Sequence, residues 1–255
     1  MKSIGIIGGM GATTGVSLCN KILHNTQAKT DHDYIPMVLL SYPHQIADRT
    51  EFLQDKIPEN PASNIAKLIK KLEILKANVI GMPCNTAHAP RIYNAITQKL
   101  EQFEIQAKLI NMVEETAIFL NQYYPEIRKI GVLATLGTYQ NRIYENALSP
   151  FGVEVISPPE SAKTAIHQAI YHTGYGIKSG NWSEQDKVHQ LLYGVIDGLA
   201  ENGAQAIILG CSEIPLVLEY YKQIPLFDPT NILARKLIHI THPEKLKPYK
   251  KIGNA

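Results

Sequence analysis

Cysteine is scarce in this chain: three copies in 255 residues, none in the close pairs that a disulfide framework or a structural zinc site needs. An odd, sparse set of thiols fits free cysteines in a reducing cytoplasm. Long apolar runs are missing too. No stretch approaches the length of a membrane span, and the start, Met1 to Gly8, is too short an apolar run for a signal peptide. Charge of one sign is not in excess, with a net +2 and a pI near 8.3. The basic residues are dispersed apart from a short tail (Lys245, Lys247, Lys250, Lys251), so no nucleic-acid partner is expected. Two phosphate-binding signatures are absent as well. The glycine stretch Gly8 to Gly15 puts Thr14 where the dinucleotide fingerprint needs its third Gly or Ala, and no Gly-Lys-Ser/Thr follows it.

What is present is 45% hydrophobic residues, enough for a substantial core in one large or two small domains. Short β-type apolar runs alternate with helical patterns, which signals a parallel α/β architecture. Ile4 to Ile7 reads as a strand, followed by a helix from Thr14 to Thr26 and a second strand from Met37 to Ser41. Pro61 opens a helix whose Ile65, Leu68, Ile69, Leu72 and Leu75 recur three and four apart on one face. Asn78 to Met82 and Lys108 to Ile110 are further strands, and Asn111 with Glu114 forms a capping-box pattern.

The pattern then restarts. Ile130-Gly131-Val132-Leu133 echoes Ile4-Gly5-Ile6-Ile7, and each is followed by a loop of small residues (Gly8 to Gly15; Ala134 to Thr138). Gly5 precedes Cys84 by 79 positions and Gly131 precedes Cys211 by 80, so one strand-loop-to-cysteine module occurs twice. The strand Ile224 to Phe227 and the helix Pro229 to His239 return to the first half. We therefore expect two similar three-layer α/β domains with parallel sheets, residues 1–113 plus 228–255 and residues 114–227, with the active site in the cleft between them. The glycine-rich stretch from His172 to Asn181 is the expected mobile loop.

Cys84 and Cys211 each end an apolar run and precede small polar residues that can open a helix. That is where an open α/β sheet presents reactive groups, and a helix N-terminus there is expected to lower a thiol's pKa. A matched pair suits a reaction that removes a proton from one face of a carbon and returns one to the other. Cys19, inside the first helix among apolar neighbours, reads as a packed thiol. Zinc on Cys84, His88 and Cys211 lacks a second ligand pair. A hydrolase with one nucleophilic cysteine leaves the other unused. The glycine loop and its helix N-terminus offer backbone N–H groups to a carboxylate. Arg49, after the second strand, and Lys178, in the glycine-rich loop, are cations that could select a dicarboxylate. Surface salt bridging of Arg49 to Asp48 or Glu51, and solvent exposure of Lys178, are their plain alternatives.

Five segments, Gly5-Ile-Ile-Gly-Gly-Met-Gly11, Asp48-Arg-Thr50, Met82-Pro-Cys-Asn-Thr-Ala-His88, Leu133-Ala-Thr-Leu-Gly-Thr138 and Leu209-Gly-Cys-Ser-Glu213, together resemble the aspartate/glutamate racemase family, over essentially the whole chain. The resemblance implies that Cys84 and Cys211 are two acid/base thiols. It implies that Asn85, Thr86, Thr135 and Ser212 hold the amino-acid end of the substrate and that Met10 lines the pocket. Arg49 and Lys178 would then hold the side-chain carboxylate. Ser212 stands where Thr is commonest, and the interval from Tyr171 to Lys178 is longer than in some members. The expected function is cofactor-independent interconversion of L- and D-amino acids, with no metal and no pyridoxal phosphate. Aspartate is the first expectation and glutamate the second, in a homodimer with no membrane partner. The alternatives are a cysteine-dependent isomerase or decarboxylase of the same superfamily, such as a maleate isomerase, and a non-catalytic binder of small carboxylates.

Overall fold

A computed structural model describes residues 2–181 and 185–251. They divide into two compact units. The first is Met1–Thr116 with Thr230–Lys250; the second is Ala117–Pro229, joined by Lys251.

In the first unit, β1 (Ile4–Gly8), β2 (Met37–Ser41), β3 (Val79–Gly81) and β4 (Lys108–Leu109) form a parallel sheet in the order β2-β1-β3-β4. All five residues of β1 are buried, as expected for a central parallel strand covered on both faces. One face is covered by α3 (Ala62–Ile74) and α4 (Pro90–Gln102), whose Ile65, Leu68, Ile69, Leu72, Ile92 and Ile96 join Ile7 and Ile80 in one apolar cluster. The other face is covered by α1 (Ala12–Asn25) and α10 (Pro229–Thr241), with Leu18, Ile22, Leu233, Leu237 and Ile238 against Ile4, Ile6 and Val79. The sheet with its two helical layers makes three layers, and α10 reaches its layer from the far end of the chain.

Local chemistry sets the element ends. Asn60 accepts the Ala62 N–H at 2.9 Å ahead of α3, and Asn111 accepts the N–H groups of Val113 and Glu114 at the start of α5 (Met112–Tyr123). Some expected boundaries shift. The first helix begins at Ala12 and stops at Asn25, and Thr26 instead bridges to Leu246 in antiparallel fashion. Leu75, expected on the buried face, is the C-cap residue of α3 and is 51% exposed.

The second unit repeats the plan. Here β5 (Lys129–Ala134), β6 (Glu154–Ile156), β7 (Ala206–Gly210) and β8 (Leu226–Phe227) pair in parallel in the order β6-β5-β7-β8. Numbered within each unit, both orders read second, first, third, fourth. The helices α8 (Glu160–Tyr171) and α9 (Gln185–Glu201) pack on β5 and on each other, burying Ile166, Ile170, Leu192 and Ile196. The repeat extends to register. Gly5 pairs with Ile80 as Gly131 pairs with Ile207, and a Cβ on either glycine would lie 2.6 or 2.5 Å from that isoleucine's Cδ1.

Two expectations are corrected here: the strand Ile224 to Phe227, expected to return to the first half, is β8 (Leu226–Phe227) and pairs with β7 in the second sheet. Residues 134–138 are not all loop, because Thr135 caps α6 (Leu136–Gln140), which begins at once and leads to α7 (Ile143–Leu148). Local bonds also run through the stretch from His172 to Asn181: Gly176 N–H donates to His172 O at 2.7 Å, Ile177–Ser179 forms a 3₁₀ turn, and Asn181 Nδ2 donates to Gly174 O at 2.7 Å.

Candidate active site

In each sheet the strand order reverses direction between the first and third strands, and ligands of open α/β sheets bind outside the strands' carboxyl ends at such a switch. The cysteines lie there. Cys84 follows β3 after Met82 and Pro83, and Cys211 directly follows β7. Both are 6% exposed. Each carbonyl accepts an N–H three residues on, from Ala87 at 3.2 Å and from Ile214 at 3.0 Å, so the two thiols ride on the same kind of turn.

The turn after Cys84 is the 3₁₀ helix Asn85–His88, all of it buried. Asn85 and Thr86 therefore sit beside the thiol, 2% and 6% exposed. His88 Nε2 accepts the Met112 N–H at 3.2 Å, which leaves Nδ1 to donate to the Cys84 carbonyl at 2.8 Å. Burial pushes its pKa down to about 4; the carbonyls of Cys84 and Ile110 favour the charged ring but are outweighed. A neutral ring with both nitrogens engaged is a strut for the thiol's turn rather than a base, and it stacks on Tyr93 with 5.3 Å between centroids. Among the described residues no group of three His, Cys, Asp or Glu is placed to hold a metal ion.

The first strand's loop and the second strand's helix complete this corner. Met10 is 2% exposed and joins Cys84, Ile7, Ile46 and Phe52 in the apolar cluster. Gly9 adopts φ +91°, and a Cβ there would meet Pro43 N at 2.9 Å, so this glycine serves a close approach between two loops of the chain itself. Asp48 caps α2 (Arg49–Leu53), accepting the N–H groups of Thr50 and Glu51. That helix packs beside the Asn85–His88 turn and carries Arg49 with it. Arg49 is 6% exposed and keeps the expected pairing with Asp48, Nη2 to Oδ2 at 3.9 Å, in a buried rather than a surface setting; its Nη1 donates to Ala47 O at 3.2 Å.

In the second unit, Thr135 follows the strand position paired with Gly210, next to Cys211, and its hydroxyl lies 3.3 Å from that of Thr138. Tyr139, which the sequence did not single out, ties this strand end together. Its hydroxyl donates to Val132 O at 2.8 Å and accepts from Ala134 N–H at 2.9 Å, while burial pushes its pKa up. Ser212 and Glu213 are both 3% exposed. Cys211 Sγ donates to Glu213 Oε2 at 3.0 Å, and Glu213 Oε1 is 3.4 Å from Lys178 Nζ. Lys178 also lies 4.2 Å from the centroid of Tyr171.

At Cys211 the chemistry departs from the expectation that a helix N-terminus lowers the thiol's pKa. Burial pushes the Cys211 pKa well up, the Glu213 charge pushes it further, and Lys178 pulls it back only in part. The reason is local: a single 3₁₀ turn, Ile214–Leu216, follows this cysteine, so there is no long helix dipole to oppose the carboxylate. Glu213 is the functional candidate that residue-by-residue reading missed. Its signal is its place two residues after a strand-end thiol.

The fold and these turns define a duplicated α/β protein with a buried thiol at the switch point of each half. The chain belongs to the Asp/Glu/Hydantoin racemase family, whose model matches residues 7–237, and the family is one of isomerases. It is 29% identical over 243 residues to a broad-specificity amino-acid racemase of Bacillus subtilis, covering 92% of this chain and 96% of that protein. Its fold is similar to that of aspartate racemase from Picrophilus torridus, with a TM-score of 0.79 and 28% identity over 97% of this chain and 96% of the other. An aspartate racemase homologue from Pyrococcus horikoshii shares the fold at a TM-score of 0.69 and 23% identity, over 94% and 99% of the two chains. Among the described residues no helix is long and apolar enough to cross a membrane.

Proposed function

We propose that this protein is a cofactor-independent racemase that interconverts L- and D-aspartate, with Cys84 and Cys211 as its two acid/base groups. The observation that carries this reading is the repetition of one buried thiol turn at the end of the third strand of each sheet. One sulfur, as thiolate, takes the α-proton; the other, as thiol, gives a proton to the opposite face. The carbon is then returned with inverted configuration, and the enzyme has gained and lost one proton. Asn85, Thr86, Thr135 and Ser212, with the backbone N–H groups of their turns, hold the amino-acid end and stabilise the carboxylate as it takes on enolate character. Met10 lines the pocket. Arg49 supports aspartate as the substrate, since a buried guanidinium beside the Cys84 turn matches a second carboxylate. Lys178 is the second cation of this set.

Racemisation in deuterium oxide tests the reading. Each inverted product molecule should carry one solvent deuteron at the α-carbon. Binding without exchange would point to a carboxylate carrier, and activity confined to an unsaturated dicarboxylate would point to a maleate-type isomerase. Arg49→Ala should depress aspartate turnover roughly ten- to a hundredfold more than alanine turnover, as loss of a charge-assisted contact predicts. Equal losses on both substrates would remove the case for aspartate.

A further inference from the structure

The link from Cys211 to Glu213 to Lys178 has a chemical direction. Glu213 Oε2 accepts from the sulfur at 3.0 Å, so the hydrogen-bonded state is the one in which Cys211 carries its proton. The carboxylate's other oxygen faces Lys178 Nζ at 3.4 Å, and Lys178 is itself seated over the Tyr171 ring. Glu213 is thus held on both oxygens in a site where its residue is 3% exposed. Charged and titratable groups face this cluster from each neighbouring element. They are Lys178 from the turn before α9, Tyr171 from the end of α8, and Tyr139 from α6, the last committed through its hydroxyl to Val132 and Ala134.

The first unit is built differently. The residue two places after Cys84 is Thr86, an uncharged hydroxyl, and among the described residues no carboxylate is bonded to the Cys84 sulfur. The two thiols sit in the same kind of turn, with a carboxylate bonded to the sulfur only at Cys211 among the described residues.

We propose that Glu213, clamped by Lys178, is a positioning residue that keeps the proton on Cys211 until substrate is bound, so that Cys211 begins turnover as the donor and Cys84 as the base. The inference rests on the two-thiol racemase reading for its catalytic meaning. In the forward step the C–H electron pair stays on carbon as the proton passes to the Cys84 sulfur. The Cys211 S–H bond then breaks as the new C–H bond forms on the other face, leaving Cys211 as thiolate. Exchange with solvent takes the proton from Cys84 and returns one to Cys211, and Glu213 draws that return to the correct sulfur. The substrate-free enzyme is thereby poised for the enantiomer that offers its α-hydrogen to Cys84.

The test reads the thiol directly, so it does not depend on racemisation. In a Cys19→Ser/Cys84→Ser chain Cys211 is the only thiol, and its thiolate absorbance in the ultraviolet can be titrated against pH. Glu213→Gln in that background keeps an acceptor oxygen and removes the charge. It should lower the midpoint by about one unit or more, the size of a neighbouring-charge effect. Lys178→Met should raise the midpoint, since it removes the opposing charge, and it stands as the second reading if Glu213→Gln does not fold. An unchanged midpoint in either folded variant, or a shift of the opposite sign, overturns the proposal. With all three cysteines present, Glu213→Gln should move the pH profile of kcat in one direction of racemisation more than in the other, and Glu213→Asp should restore part of the difference. A shifted titration in a protein that fails to racemise would retain the Glu213 role and discard the racemase reading. A racemase with an unshifted titration would do the reverse.

Discussion

The turns at Cys84 and Cys211 share their place after the third strand and their carbonyl-to-third-N–H bond. They differ in the residues that follow. The first unit surrounds its thiol with Asn85, Thr86 and a neutral, doubly bonded His88; the second supplies Ser212, a carboxylate at Glu213, and Pro215 where the histidine would fall. Duplication has kept the backbone and let the side chains diverge. Backbone geometry is set by strand order and register, which tolerate little change, whereas a buried polar residue need only satisfy its own neighbours. Two equivalent positions can therefore carry the same thiol among different side chains.

Removing the thiols tests the shared part of that comparison. Cys84→Ser and Cys211→Ser should each lower racemisation by roughly a thousandfold, the scale of a lost general acid or base, while Cys19→Ser changes little. Full activity in either of the first two would break the equivalence of the halves.

His88 tests the part that differs. Its folded pKa of about 4 lies below the ordinary 6.5, so the unfolded chain binds the extra proton first. Stability is therefore full above pH 6.5 and declines as pH falls toward 4, by up to roughly 3 kcal/mol. Denaturant unfolding at several pH values measures this, and His88→Gln should flatten that segment of the curve. An unchanged slope would mean that the ring is not held neutral.

The smallest effect belongs to the paired glycines. Gly5→Ala brings a methyl to 2.9 Å from Ala77 Cβ as well as 2.6 Å from the Ile80 tip, and should cost about 1–3 kcal/mol by overpacking. Gly131→Ala meets Ile207 Cδ1 at 2.5 Å and Leu199 Cδ1 at 2.9 Å, both ends of rotatable side chains, and should cost less. Thermal unfolding of the two variants would separate a rigid contact from a yielding one; equal shifts would say that the isoleucine tips set both.

Much of this was legible in the sequence. The alternation of apolar runs gives the α/β class, and the echo of Ile4-Gly5-Ile6-Ile7 in Ile130-Gly131-Val132-Leu133 gives the duplication, because register and glycine packing repeat with it. The strand ends place both thiols. What was not legible depends on contacts across the fold. Lys178 meets Glu213 only because the turn before α9 lies over the end of β7, and Tyr139 reaches back to Val132 only because α6 starts immediately after Thr135. The small polar residues after each cysteine can open a helix, and a single 3₁₀ turn satisfies that pattern.

The return of α10 to the first sheet has a consequence for synthesis. While the chain emerges from the ribosome, β1 to β4 and three of their covering helices are complete before residue 117. One face of that sheet then waits, with Ile4, Ile6, Leu18 and Ile22 lacking Leu233, Leu237 and Ile238, until all of Ala117–Pro229 has been made. The second unit has all its strands and their covering helices in hand first. A nascent chain stalled before Pro229 would therefore expose the apolar surface that chaperones bind, on the half made earliest.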